Sequence, residues 1–225
     1  MVITEIFKSI QGEGTRAGLP CIFVRLTGCN LRCKWCDTEY AFYGGTKFGL
    51  AEIRQRVDAL AGHGANRTSL VEITGGEPLL QPETPALAEQ LLADGHTVMI
   101  ETSGERFIGP LPREVIKIVD VKCPDSGEAD TFDMANLEAL GRDDEIKFVI
   151  STRRDYDFAH DFTLRHRLPE KVNQVLFSPV FADSCGRWEG LEARTLVEWI
   201  LADGLPVRLG LQLHKFVWDP ATKGV

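Results

Sequence analysis

The chain of 225 residues lacks any apolar run approaching the ~20 residues that a membrane span requires. Its first residues, MVITEIFKSIQGEG, contain neither a basic cluster nor an apolar stretch leading to a cleavage site, so no export signal is expected. Positive charge is not in excess either. Lys and Arg number 25 against 33 Asp and Glu, a net charge of −8, and they form no stripe. Nucleic-acid binding starts from a basic footprint. Direct contact with a polynucleotide is therefore disfavoured, and a small-molecule substrate is favoured. Cysteine is scarce, with six residues, and half of them crowd into one short stretch. That pattern suits a metal site in a reducing, cytoplasmic compartment better than a disulfide framework. What remains, 44% hydrophobic and 26% charged residues, is ordinary for a globular protein, and the length suits one domain with a sizeable core.

The crowded stretch is GCNLRCKWCD, with Cys29, Cys33 and Cys36 spaced C-x3-C-x2-C. Thiolates are soft ligands suited to iron–sulfur clusters and zinc. A structural zinc site or a closed 4Fe–4S cluster takes four protein ligands. Three cysteines leave one position for a small molecule, or for a distant Cys or His in a zinc knuckle. Cys21, Cys123, Cys185 and five histidines keep the second reading open at this point. Isolated and without cluster spacing, the three outlying cysteines are expected to be ordinary thiols.

A second motif, TGGEP at Thr74–Pro78, follows directly on the apolar run Ser69–Ile73. Paired glycines after a buried strand let a ligand approach the backbone closely. Alone, such a turn is weak evidence, being more often a plain strand-to-helix connection.

Short apolar runs predict strands near Ile22–Leu26, Leu70–Thr74, Val98–Glu101, Val115–Asp120, Ile146–Ile150, Gln174–Phe177 and Arg208–Leu213, as expected of parallel strands buried on both faces. Helices are predicted near Leu50–Gly62, Pro82–Asp94, Phe132–Leu140, Arg153–Arg167 and Leu191–Asp203, with glycines where they should stop. Gly104–Arg113 is too short and too proline-rich for a crossover helix. Repeated βα units imply an α/β fold with a parallel sheet and outer helices. They are too few for an eight-fold barrel of ~250 residues, so a partial (β/α) barrel of about six parallel strands is expected. Its site should gather where the strands end, near Arg25, Cys29, Thr74–Glu77, Glu101–Ser103, Asp120–Lys122, Ser178 and Gln212–His214.

The order of C-x3-C-x2-C after the first such strand and GGEP after the second resembles radical S-adenosylmethionine (SAM) enzymes. Three longer segments narrow the resemblance: EIFKSIQGEGTRAGLPCIFVRLTGCNLRCKWCDT, TGGEPLLQ and QLHKFVWDP. Together they resemble the 7-carboxy-7-deazaguanine synthase family from Glu5 to about Pro220. The resemblance implies one radical SAM domain. Residues 1–20 would form a substrate-capping segment, with Ser9–Gly18 as a loop folded over the barrel mouth, 21–213 the partial barrel, and 214–225 a tail near the active site. It implies a 4Fe–4S cluster on Cys29, Cys33 and Cys36, and magnesium at Thr38. SAM would contact Trp35, Cys36, Asp37, Gly76, Glu77, Asp120, Val121, Lys122, Ser178, Pro179, Val180 and Phe181. Substrate would meet Ile10, Gln11, Gly12, Arg25 and Thr74, with Glu13, Glu101, Gln212, His214 and Pro220 as further contacts.

The implied reaction converts 6-carboxy-5,6,7,8-tetrahydropterin to 7-carboxy-7-deazaguanine with loss of ammonia, on the route to queuosine. In it a 5′-deoxyadenosyl radical abstracts hydrogen from C6, the ring contracts and SAM is regenerated. A homodimer and an electron donor such as flavodoxin are implied as partners. One feature departs from the pattern. Some relatives end at the proline matching Pro220 and use its carboxylate on the substrate, whereas here Ala221–Val225 follow. Two rival readings are an activase of a glycyl-radical enzyme and a zinc-stabilised binding module without catalysis.

Overall fold

The computed structural model describes residues 1–183 and 185–225. Its strands are β1 (Val2–Ile10), β2 (Pro20–Leu26), β3 (Thr46–Lys47), β4 (Leu70–Gly75), β5 (Thr97–Thr102), β6 (Ile116–Asp120), β7 (Glu145–Ile150), β8 (Gln174–Pro179) and β9 (Arg208–Leu209). The helices are α1 (Leu50–Ala61), α2 (Thr84–Ala93), α3 (Asn136–Ala139), α4 (Arg153–Arg165), α5 (Leu168–Lys171), α6 (Ala193–Asp203) and α7 (His214–Val217). They build one sheet in the order β3-β1-β2-β4-β5-β6-β7-β8-β9. From β2 to β9 every neighbouring pair is parallel. The expected partial barrel is therefore present.

Strand periodicity sorts the side chains between the two faces. Ile22, Val24, Leu26, Val71, Ile73, Val98 and Ile100 face outward and pack under Ile53 and Val57 of α1 and Leu87 and Leu91 of α2. Ile146, Phe148, Ile150, Val175 and Phe177 do the same beneath Tyr156 of α4 and Leu196 of α6. The alternate residues face the lumen. Its floor, at the N-terminal strand ends, is a plug of Cys21, Phe23, Leu70, Met99, Ile116 and Ile118. Phe7 of β1 covers this plug, stacking on Phe23 with centroids 5.0 Å apart. Above it the lumen turns polar.

Four expectations need correction. The first ten residues are not merely a cap, because β1 pairs antiparallel with β2 along its length, from Ile3↔Leu26 to Ile10↔Pro20. Its mixed polar and apolar residues suit an antiparallel strand with one wet face. That register decides where the next loop lies. Ile10 ends beside Pro20, the start of β2, so the loop of residues 11–19 leaves and rejoins the sheet at the floor, with Gln11, Gly12 and Glu13 in the lumen, and does not fold over the mouth. The last strand stops at Leu209 instead of Leu213: Gly210 N–H still donates to Phe177 O, and the chain then leaves the sheet. The helix expected over Phe132–Leu140 shrinks to α3 because Asn136 is committed elsewhere. Its side chain donates to Gly104 O and Arg106 O and accepts from Ile108 N–H, pinning the helix-free β5–β6 connection. The other predicted helices form, with Thr152 capping α4 through Asp155 N–H and Gly204 closing α6 in the left-handed region at φ 61°.

Candidate active site

A cavity of about 340 Å³ occupies the lumen between the polar layer and the C-terminal strand ends. Cys29, Cys33 and Cys36 line it, on the loop that leaves β2. This loop is tied down on several sides. Arg32 donates to Cys29 O (2.8 Å), stacks over Phe42 (4.4 Å) and has its backbone N–H on Glu128 (2.6 Å). Lys34 N–H reaches Ser126 O, and Gly28 N–H reaches Ala41 O. TGGEP is pressed directly against it: Glu77 N–H donates to Gly28 O, and a Cβ on Gly76 would overlap Gly28 O and crowd Cys29. Gly76 is thus required where two ligand-facing backbones meet.

All sequence-predicted site residues but one line this cavity. The exception is Glu77. Its fully buried carboxylate accepts from Leu79 N–H, Thr102 Oγ1, Ser103 N–H and Ser103 Oγ at 2.7–2.9 Å, clamping the β4 turn to the end of β5. The acid is consumed as a brace, which leaves the glycines to face a ligand.

On the cluster side, Lys122 ion-pairs with Asp120 at 2.5 Å. Burial disfavours its charge, but Asp120 and the nearby Cys33 outweigh that and hold it firmly protonated. Burial raises all three cluster-loop thiols, Cys36 to about 11, while Lys122 pulls each one down. Metal binding deprotonates such thiols. Ser178, Pro179, Val180 and Phe181 follow at the end of β8, and Trp35 lies in the loop opposite. Thr38 donates to Asp37 Oδ1 (2.9 Å), and Lys215 grips Asp37 Oδ2 (2.5 Å).

Toward the floor, one ammonium organises the layer. Lys147 of β7, only 6% exposed, meets Glu13 (3.2 Å), Asp120 (3.4 Å) and Glu101. Burial opposes the Lys147 charge, yet Asp120, Glu101 and Glu13 push its pKa well up. Removing one partner from such a buried ionic group costs about 3–5 kcal/mol. Glu72 of β4 accepts from Gln11 Nε2 and, among the described residues, meets no cation directly. Burial first, then Glu101 and Glu13, drive its pKa well above the ordinary carboxylate value.

The loop from Gln11 to Arg16 is held by these contacts. Gln212 donates to Glu13 (2.9 Å), Leu213 N–H to Gly12 O (2.9 Å), and Thr15 and Arg16 meet Glu145. His214 packs against Gly12 so closely that no Cβ fits there. Burial lowers the His214 pKa, which keeps the ring neutral.

Arg25 reaches the cavity from β2. Its Nε donates to Glu5 Oε1 (2.8 Å), which also accepts from Tyr40 Oη (2.8 Å). Nε is thereby fixed, and the terminal nitrogens of the guanidinium donate to no other described residue. Pro220 lines the cavity, and so do Ala221–Val225, with Lys223 Nζ 4.3 Å from the centre of the Tyr40 ring. The additional tail residues thus form wall beside Arg25.

Three functional candidates escaped sequence reasoning: Glu5, Glu72 and Lys147. The last two had a signal, a charge inside an otherwise apolar run, Glu72 in LVEITG and Lys147 in IKFVI. Glu5 had none, since its role depends on the β1–β2 register. Cys21 and Cys123 are buried thiols as expected, and Cys185 is exposed.

The donor set fits a cluster. Among the described residues no three Cys, His, Asp or Glu side chains converge on a point that one metal ion could hold. A zinc knuckle demands that convergence. A 4Fe–4S cluster spreads its cysteines over separate irons.

Comparison with known proteins agrees with this geometry. Residues 23–125 match the model of the radical SAM superfamily. A 7-carboxy-7-deazaguanine synthase from Koribacter versatilis is 55% identical, with all of both chains covered. Another from Chlorobaculum tepidum is 41% identical over 99% of this chain and 96% of its own. The crystal structure of QueE from Escherichia coli superposes with a TM-score of 0.73 at 26% identity, covering 95% of this chain and 94% of that one. With its cysteine loop, glycine turn and polar lumen, this chain belongs to the 7-carboxy-7-deazaguanine synthase family of the radical SAM superfamily.

Proposed function

We propose that the chain converts 6-carboxy-5,6,7,8-tetrahydropterin to 7-carboxy-7-deazaguanine with loss of ammonia, a carbon–nitrogen lyase reaction of 7-deazapurine and queuosine biosynthesis. The observation that carries this reading is one cavity walled by the cysteine loop on one side and by Arg25 and a carboxylate layer on the other. Cys29, Cys33 and Cys36 would hold a 4Fe–4S cluster, which with bound SAM would supply radical chemistry at the substrate carbon.

The remaining work falls to the chain's own residues. Gly76, Asp120–Lys122 and Ser178–Phe181 seat SAM, with Trp35, Cys36 and Asp37 on the facing loop. The open edge of the Arg25 guanidinium takes the substrate carboxylate bidentately, a geometry that ammonium cannot supply. Gln11, Gly12, Glu13 and Glu101 meet the nitrogen-bearing edge of the bicyclic ring, flanked by Ile10, Thr74, Gln212 and His214. Magnesium, which seeks oxygen ligands, is placed at Thr38, where the hydroxyl stands beside the Asp37 carboxylate. Trp35, Phe181 and the tail from Pro220 onward shield the site from water. The working form is a cytoplasmic homodimer reduced by a flavodoxin-like donor.

The test is anaerobic incubation with SAM, reductant, magnesium and the carboxylated pterin, followed by mass spectrometry. Formation of 7-carboxy-7-deazaguanine without net loss of SAM is expected, with a fall in yield when magnesium is removed. A chain that cleaves SAM but leaves the pterin intact overturns the assignment. The glycyl-radical activase would leave the pterin untouched in the same assay.

A further inference from the structure

Lys147 lies on no motif, yet it is the point where three elements meet. Glu13 comes from the floor loop, Glu101 from β5 and Asp120 from β6. These carboxylates do not depend on it equally. Asp120 already holds Lys122 at 2.5 Å. Glu13 and Glu101 have no other cation in direct contact among the described residues. Glu101 places one oxygen on Lys147, while its second oxygen, Oε2, accepts from no described residue, and its side chain is 26% exposed in the cavity wall. Glu13 is held between Lys147 on Oε2 and Gln212 on Oε1. Both carboxylates are thus aimed, with acceptor capacity left over, at the lumen where a nitrogen-rich heterocycle would lie.

We propose that Lys147 is a positioning residue for the substrate: its ammonium fixes Glu101 and Glu13 so that they accept N–H groups of the bound heterocycle. This rests on the proposed function above. Charge supports the geometry. Burial raises the Glu101 pKa and Lys147 opposes that rise, while at Glu13 the ammonium and Gln212 overcome the burial effect. Without the cation both acids are more readily protonated, and a protonated acid turns from acceptor towards donor, the wrong partner for an N–H group. The other titratable groups facing this cluster are Asp37, Glu72, Asp120, Lys122 and His214. His214 is neutral at and above neutral pH, so it adds no alkaline response.

The experiment compares wild type with Lys147→Met, Lys147→Gln and Lys147→Arg as cluster-loaded proteins. Pterin affinity is measured by calorimetry in the presence of SAM and absence of reductant, between pH 7 and 9. KM, kcat, SAM affinity and thermal melting are recorded beside it. Lys147→Met is expected to weaken pterin binding about tenfold or more at pH 7, the scale of a lost charge-assisted hydrogen bond. KM should rise more than kcat falls, with SAM affinity unchanged. Affinity should then recover towards pH 9 as the carboxylates ionise, a recovery wild type does not show, and Lys147→Arg should restore most of it at pH 7. Lys147→Gln keeps an N–H donor but no charge, and gives the same pattern should the Met variant fail to fold. Normal pterin binding in the folded Met or Gln variant, or a loss that is independent of pH, overturns the role of Lys147. Wild type that neither binds nor converts the pterin overturns the proposed function instead.

Discussion

At the rim of the lumen, Cys29, Cys33 and Cys36 come from a single stretch and are locked by neighbours such as Arg32 and Gly76. At the floor, Gln11, Glu13, Glu72, Glu101 and Lys147 come from a loop and three strands and hold one another. The rim is local and the floor is not. Damage at the rim should therefore remove the cofactor and spare the fold. Damage at the floor should spread from substrate binding into stability, because each floor residue satisfies groups on other elements.

The largest expected effect breaks the rim. Cys33→Ala leaves two thiolates for a cluster that needs three, so iron content and turnover should fall to background while far-UV circular dichroism stays native. A variant that keeps a full cluster would show that the loop is not the ligand set. Next comes Arg25, on the wall between the two regions. Arg25→Ala should weaken pterin binding about tenfold to hundredfold, from a charge-assisted hydrogen bond worth ~1.5–3 kcal/mol. Arg25→Lys should recover only part, and iron should be unchanged in both. Loss of iron there would join Arg25 to the rim.

Smaller effects sharpen the floor. Glu5→Gln keeps the shape but weakens the hold on Arg25, and a neutral hydrogen bond in place of a charged one should cost about 1 kcal/mol, roughly fivefold in pterin affinity. Glu72→Gln tests protonation. A carboxyl whose pKa is raised on folding stabilises the native state only where it is protonated in both states. Its contribution therefore falls as pH rises from the unfolded-state value towards the raised native one. Glutamine cannot ionise and still accepts from Gln11. The melting temperature of Glu72→Gln relative to wild type should thus rise between pH 5 and pH 8. A difference that stays flat with pH would mean that Glu72 is ionised in the folded protein. The smallest effect belongs to Cys185→Ala, an exposed thiol with no cluster spacing, which should change neither iron content nor rate.

Much of the strand and helix pattern was legible because parallel strands buried under helices leave short apolar runs, as at Ile146–Ile150 and at Leu70–Thr74, which Gly75 follows. The rim was legible because its three thiols lie on one loop and need no distant element to bring them together. The floor was only half legible. Gln11 and Glu13 stood out in a glycine-rich loop, but the loop's position was misjudged. Whether it covers the mouth or enters at the floor depends on β1 lying antiparallel to β2, a pairing between residues with no local signature. Glu77 looked like a ligand by its motif, and became a brace because Thr102 and Ser103 arrive beside it from β5.

By itself, then, the sequence determined the cysteine loop, the glycine turn against it and the βα order of the domain. These follow from spacing and periodicity within a few residues. Only the tertiary structure decided that Glu72 and Lys147 face the lumen together with Glu101, that Glu5 orients Arg25, and that the tail beyond Pro220 forms wall. Alternation tells which residues share a face of one strand. Which charges meet across that face is settled by register and sheet curvature, and those are properties of the whole chain.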